Sequence, residues 1–365
     1  PFVRIKIGSI ETRTIGDGSI PYEIFYYEIK EKIYKNKFEI YLWYHEKKVS
    51  SYFLLNKFKE KFLILPGIFL YTPYLLIEKY KLNYLQIPIG RKHFRYKDEF
   101  KVLGRNPKLI NFEPKELDHA NKICKIFEIE KNDKIICVSV RTPKYKNENF
   151  ISAQNANINS LMKGFDYLIK NNYKILLMGD PYDNLPQNLH KNIITYSNSK
   201  YKNGMLDFYF IGRSDFFIQT PSGIGEIASM MRIPRLIVNF FGLQNLLSYE
   251  EDYVPLILPK KIKSKKDGKF IHYTDQLKQR FSLLSRRMDV LNNNGYKIID
   301  NTPEEILFGV IEMTQLINSK NKLVLNDKQK FWHYYNKFFG DEGTDKIKIV
   351  DKFYSENINL FEKNI

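Results

Sequence analysis

The 365-residue sequence predicts an α/β chain of two Rossmann-like units, each built on a parallel sheet. Three observations carry this. Short, nearly unbroken apolar runs alternate with helical patterns, as expected where helices cover both faces of a parallel sheet. The clearest runs are Lys134–Arg141, Tyr173–Asp180, Asp215–Gln219 and Arg235–Asn239. Each ends in a polar or glycine-containing loop, the place where open α/β sheets bind ligands. A similar alternation opens the chain, ahead of a proline-bounded linker at 107–114. The expected division is an N-terminal acceptor unit over 1–112, a C-terminal donor unit over 113–325, and a helical segment over 326–365 returning to the N-terminal unit.

Phe2–Ile7 reads as a strand and Gly8–Ser19 as a long polar loop with three glycines. Long loops inside compact domains are often functional, which makes Glu11, Thr12, Arg13, Thr14 and Asp17 candidates. A helical pattern runs from Pro21 to about Lys32. Phe38–Tyr44 is the next strand, Val49–Phe62 a helix, Phe62–Leu65 a further strand and Tyr84–Pro88 a short extended piece. Arg91–Arg95 is a basic cluster containing His93. Pro114–Ile129 has an apolar helical face. Thr220-Pro-Ser-Gly-Ile-Gly-Glu226 leads into a helix whose free amides would suit a phosphate; the alternative is an ordinary strand-to-helix turn capped by Ser222. Beyond it come a helix-like Leu243–Tyr249, an extended Val254–Leu258 and a basic loop, Pro259–Lys269, expected to be solvated. Thr302-Pro-Glu-Glu305 opens a helix with cap, proline and acidic first turn in their usual places. Asp327–Phe339 is an aromatic-rich helix.

A hydrophobic content of 43% supports a sizeable core, and the net charge of +17 favours acidic partners such as a nucleotide diphosphate, an anionic glycan or an anionic membrane surface. No nucleic-acid recognition motif is visible, and none is expected as a partner. Cys124 and Cys137 cannot form a disulfide framework and have no zinc spacing. Asp180 and Asp183 share a loop without further ligands, so no metal site is expected. The apolar stretch Phe62–Ile77, broken by Pro66-Gly67 and Pro73, is too short for a spanning helix of about 20 residues and is expected in the core, with shallow membrane contact as the lesser alternative. With no leader pattern ahead of the first strand, the expected location is cytoplasmic, with peripheral contact at the inner membrane face.

Arg141, Tyr145, Asn155, Met178-Gly179, Asp207, Thr220, Ser222-Gly223 and Asn239 follow one another in a distinctive order. From Val138 to Asn239 the chain thereby resembles bacterial glycosyltransferases encoded with surface-polysaccharide genes. These are distant relatives of the fucosyltransferase-type branch of two-domain GT-B enzymes. It departs from their pattern at Ser139 (histidine there), Gln154 (arginine), Asn157 (aspartate), Leu206 (methionine) and Pro221 (serine). The resemblance implies two Rossmann-like domains facing a cleft and metal-independent hexosyl or deoxyhexosyl transfer without a cofactor. The donor would be a nucleotide-diphosphate sugar and the acceptor a glycan or lipid-linked glycan.

In that chemistry Arg141 would grip the diphosphate bidentately, and Ser222, Gly223 and the following amides would complete the pocket. Tyr145, Asn155, Gly179, Asp180, Asp207 and Thr220 would line it. Glu226 could accept from a ribose or serve only as a first-turn charge. Asp17, Glu11 and His93 are candidates for the general base, unranked. A nucleotide-sugar epimerase or hydrolase and a non-catalytic glycan- or nucleotide-binding protein remain open alternatives.

Overall fold

A computed structural model describes residues 3–33, 38–45, 47–89, 98–143, 150–183, 185–243, 255–279, 286–319, 329–339 and 347–362. Its order is β1 (Arg4–Ile10), α1 (Ile20–Lys30), β2 (Glu39–His45), α2 (Tyr52–Lys59), β3 (Leu63–Ile64), α3 (Gly67–Lys79), α4 (Val102–Arg105) and α5 (Pro114–Ile126). Then come β4 (Lys134–Ser139), α6 (Met162–Lys170), β5 (Tyr173–Leu177), β6 (Ile193–Ile194), α7 (Gly204–Arg213), β7 (Phe216–Gln219), α8 (Gly225–Met230) and β8 (Arg235–Phe240). The chain closes with β9 (Leu256–Pro259), β10 (Lys261–Ser264), α9 (Tyr273–Gln279), α10 (Met288–Asn293), β11 (Tyr296–Ile299), α11 (Pro303–Ser319), α12 (Phe331–Phe339), β12 (Lys348–Ile349), α13 (Asp351–Glu356) and α14 (Ile358–Phe361).

The α/β expectation is met by two parallel sheets. The N-terminal one has three strands in the order β1-β2-β3. The C-terminal one has seven, in the order β12-β9-β8-β7-β4-β5-β6, every pairing parallel. From β4 the chain winds outward through β5 and β6, then returns to place β7, β8 and β9 on the other side. The strand order therefore reverses between β4 and β7, and the crevice at a topological switch point opens there. The strands are buried on both faces, which accounts for their unbroken apolar runs.

Local signals explain several element ends. Glu113 and Glu116 form a capping box on α5, and Thr302 and Glu305 exchange the equivalent bonds at 3.2 and 2.9 Å on α11. Asn203 caps α7 by accepting from Leu206 at 3.0 Å.

Helices α1 and α2 lie between the units, meeting α8 and α7. One core runs through both: Phe25, Trp43 and Phe58 belong to the same cluster as Phe208, Phe217 and Ile227. A buried ion pair crosses the joint, Arg232 at the end of α8 to Glu23 on α1 at 2.8 Å. Burial pushes the Glu23 carboxyl up against the pull of Arg232.

Four expectations are corrected. Gly8 lies inside β1, not in the loop, because a Cβ there would meet Trp43 at 2.9 Å and Ile87 at 3.0 Å. The apolar stretch 62–77 is core only in part: Phe62 joins the main core, but β3 and α3 follow it, and α3 buries only Leu70 and Ile77. The 259–269 segment is not a solvated loop, since β10 pairs with β11 and Lys260 and Ile262 are buried. Among the described residues, 326–365 packs on the C-terminal unit: β12 pairs with β9 and Phe361 stacks on Tyr273 at 4.2 Å. The helix-like segment Leu243–Tyr249 lies outside the described residues from position 244 on.

Candidate functional site

The carboxyl ends of β4 and β7 are adjacent, with Ser139 in register with Gln219. Arg141 and Thr220 follow immediately. The Arg141 amide donates to Thr220 Oγ1 at 2.7 Å, and the Thr220 amide donates to the Ser139 carbonyl at 3.0 Å. Backbone and hydroxyl thus fix the two loops, leaving the guanidinium to another task. Its Nε donates to Asn155 Oδ1 at 3.3 Å, and the Arg141 carbonyl accepts from Ala156 at 3.0 Å. Asn155 is held in turn by Lys260, whose Nζ donates to its carbonyl at 2.7 Å.

Lys260 is the residue the sequence concealed. It sits among six lysines in the segment, yet only 4% of it is exposed, and Asp300 pairs with it at 2.7 Å. Burial pulls the ammonium below its ordinary range, with Asp300 opposing. The neighbouring Asn239 and Asn301 exchange backbone-to-side-chain bonds of 2.7 Å in both directions, fixing a left-handed Asn239 at φ 52°. The Asn239 position carried by the resemblance is therefore a structural clamp at the same rim.

Gly179, at the end of β5, has φ +85° and lies against β4, where a Cβ would meet Ser139 Oγ at 2.7 Å. A side chain at 179 would run into Ser139, so this position stays glycine. Tyr182 staples the two strand ends, accepting from Val140 at 2.8 Å and donating to the Met178 carbonyl at 3.0 Å. Asp180 is exposed on this loop.

The Ser222-Gly223 loop meets the N-terminal unit directly. A Cβ on Gly16 would stand 3.0 Å from Gly223 Cα and 4.0 Å from Glu226 Cγ. Two glycines are what allow these backbones to touch. Ser222 is not a helix cap: α8 begins after Ile224, and the Gly225 and Glu226 amides bond to the Ser222 and Gly223 carbonyls at 3.1 and 3.2 Å. The expected cradle of free helix-start amides is reduced accordingly. Glu226 faces Arg235 at 3.8 Å.

Three buried polar atoms at this rim, Thr142 Oγ1, Ser222 Oγ and Asn239 Nδ2, have no hydrogen-bond partner among the described residues. Buried polar groups are nearly always satisfied, so unpartnered atoms at or just beyond the carboxyl ends of β4, β7 and β8 suit a polar ligand.

The base candidates fare differently. Glu11 is buried, and Arg13 engages both of its oxygens at 2.9–3.2 Å. Asp17 belongs to the turn Gly16–Gly18 that touches Gly223, and its side chain lies outside the described residues. His93 and Tyr145 lie outside them altogether. Asp207 is in the first turn of α7, with its Oδ1 buried. Burial pushes its carboxyl up to about 6, opposed by the nearby Tyr196 hydroxyl and the charge of Lys202. Among the described residues no group of three or more His, Cys, Asp or Glu is placed to hold a metal ion, and no helix is long and apolar enough to cross a membrane.

No family model matches the chain, and no curated protein matches it. Solved structures similar to it include a glycosyl transferase family 9 protein from Veillonella parvula, 11% identical, covering 88% of this chain and 98% of that one at a TM-score of 0.48. Another is the ADP-heptose lipopolysaccharide heptosyltransferase II of E. coli, 12% identical, covering 64% and 84% at 0.38. A UDP-GlcNAc 2-epimerase from Neisseria meningitidis, bound to UDP-GlcNAc, is 11% identical and covers 87% and 100% at 0.32. None of these likenesses carries a functional assignment. Arg141, Asn155, Thr220, Gly179, Ser222 and Gly223 are brought to one sheet edge by the chain's own topology.

Proposed function

We infer that the chain is a glycosyltransferase that moves a hexosyl or deoxyhexosyl group from a nucleotide-diphosphate sugar to a hydroxyl of a glycan or lipid-linked glycan in bacterial surface-polysaccharide synthesis. One observation carries the reading: Arg141 and Thr220 stand bonded at the switch point, opposite the Gly16–Gly18 turn of the other unit. A diphosphate there would be met by the Arg141 guanidinium, with Asn155 holding the side chain and Ser222 Oγ donating. Lys260 positions Asn155 from behind. Glu226, beside the Gly16 turn and facing Arg235, would accept from the ribose. The reading assigns no resident metal or cofactor; the charge of the leaving diphosphate falls to Arg141.

The acceptor hydroxyl must lose a proton as the glycosidic bond forms, and that role falls to Asp17. Its turn reaches the donor loop, whereas Glu11 is engaged by Arg13. Thermal-shift titration with nucleoside diphosphates and nucleotide sugars is expected to stabilise the chain. Nucleotide release from the matching sugar should then depend on added acceptor. Release without acceptor would favour the epimerase or hydrolase alternative. No stabilisation by any nucleotide would reject the donor site.

A further inference from the structure

Helix α3 is unusual for an α/β protein. It touches its sheet through Leu70, Tyr74 and Ile77, a stripe spaced by about one helical turn, and the rest of it faces outward. The outward side is apolar as well: Ile68 is 84% exposed and Phe69 65%, with Tyr71, Leu75 and Leu76 also exposed. The margin of the same sheet face continues this surface. Ile5 and Ile40 are register partners, Leu63 pairs with Leu42, and Ile5, Ile40 and Leu63 are all exposed. A contiguous apolar face of this kind marks an interaction site.

Its charges point to the occupant. From Lys61 to Ile77 the sequence has no acidic residue. Glu60 and Glu78 bracket the stretch, where they are outnumbered by Lys59, Lys61, Lys79 and Lys81, and Glu78 accepts from Tyr74. Lys59 and Lys61 lie exposed just before β3, and Lys79 and Lys81 lie exposed where α3 ends, at the same end of the sheet. Exposed Tyr80 and Tyr84 stand beside the second pair. Apolar residues flanked by tyrosines and lysines match the boundary of an anionic bilayer, where chains insert shallowly and ammonium groups reach lipid phosphates. A 13-residue helix is about 20 Å long, too short to span and suited to lying in the interface. A second copy of the chain would leave these lysines without a partner of opposite charge from the same apolar face, whereas lipid phosphates supply one.

We propose that α3 and the adjoining margin of β1-β2-β3 form a docking surface for an anionic lipid bilayer. Helix α3 starts at the sheet edge bearing the 11–18 loop, so a bound bilayer would lie beside the cleft entrance. Taken with the donor-site reading above, a lipid-linked acceptor would be presented from that side. The docking itself stands apart from that reading, since vesicle binding and nucleotide binding are measured separately.

The test is co-sedimentation of the full chain with phosphatidylglycerol–phosphatidylcholine vesicles and with phosphatidylcholine vesicles alone. Expected is binding to the anionic vesicles that weakens with salt and falls about tenfold or more in Ile68→Glu/Phe69→Glu, with a smaller loss in Lys79→Glu/Lys81→Glu. All four positions are exposed, and an unchanged melting temperature would confirm folding. Absence of binding, or equal binding to uncharged vesicles, would overturn the proposal. So would sedimentation-velocity dimers abolished by Ile68→Glu/Phe69→Glu, which would make the face a self-association surface.

Discussion

The two units share one local plan and differ in completeness. The C-terminal sheet is covered on both sides, and one of its cores, around Phe165, Leu236 and Phe353, draws on that unit alone. The N-terminal sheet has three strands, one face thinly covered by α3 and the other joined to a core that the C-terminal unit completes. A small sheet with so little of its own to bury gains its stability at the joint. The C-terminal unit is a scaffold, and the N-terminal unit is held to it.

The largest effect is therefore expected at the joint. Arg232→Met leaves the Glu23 carboxylate buried without its cation, and breaking such a pair costs about 3–5 kcal/mol. Hydrogen exchange should show the loss unevenly, with amides around Ile7 and Trp43 opening while Ile136 and Ile218 keep their protection. Adding Glu23→Gln should recover much of the stability, because the unpaired charge is gone. Equal loss in both halves would refute the asymmetry.

Next in size is the site itself. Arg141→Ala should abolish stabilisation by nucleoside diphosphates and lower turnover by about 10²–10³. The melting temperature should fall only modestly, because the backbone bonds of residue 141 remain while the guanidinium's bond to Asn155 is lost. Smaller again is Gly16→Ala, whose Cβ must displace the Gly223 backbone. Nucleotide should still bind to the C-terminal unit, while turnover falls about tenfold to a hundredfold as the facing loop is pushed away. Unchanged turnover would mean that the two glycines merely pass close by.

The C-terminal sheet was legible because its strands are apolar on both faces and each ends in small or polar residues. The same pattern placed Arg141, Gly179 and Thr220 at one edge. What could not be read depends on distant packing. Lys260 looks like any solvated lysine until β10 pairs with β11 and Asp300 meets it. Glu23 and Arg232 lie 209 positions apart and look like surface charges on separate helices. The apolar run at 62–77 misled because hydrophobicity alone does not say whether a helix is covered by protein or by something else. Ser222 looked like a helix cap because the chain makes a short turn before α8 that sequence spacing does not reveal.

Asp207 gives the finest probe of how the scaffold meets its neighbour. It sits in the first turn of α7, beside Gly204, where a Cβ would come within 2.8 Å of Ser51 Oγ from the N-terminal unit. Its Oδ1 is buried and has no hydrogen-bond partner among the described residues, and burial raises the carboxyl from 3.8 to about 6. The folded chain then binds this proton more tightly than the unfolded chain. Stability from this group is accordingly greatest below about pH 4, declines as the pH rises toward 6, and stays reduced above it. Asp207→Asn removes the charge with almost no change of shape. Part of the gain is offset by burying an amide, so the variant should be more stable than the parent by about 1–2 kcal/mol at pH 7. The two should converge near pH 4, as read by urea denaturation across that range. A variant less stable at pH 7 would reverse the sign, and would mean that the carboxylate is held in its charged form by Lys202 to keep α7 in place against α2.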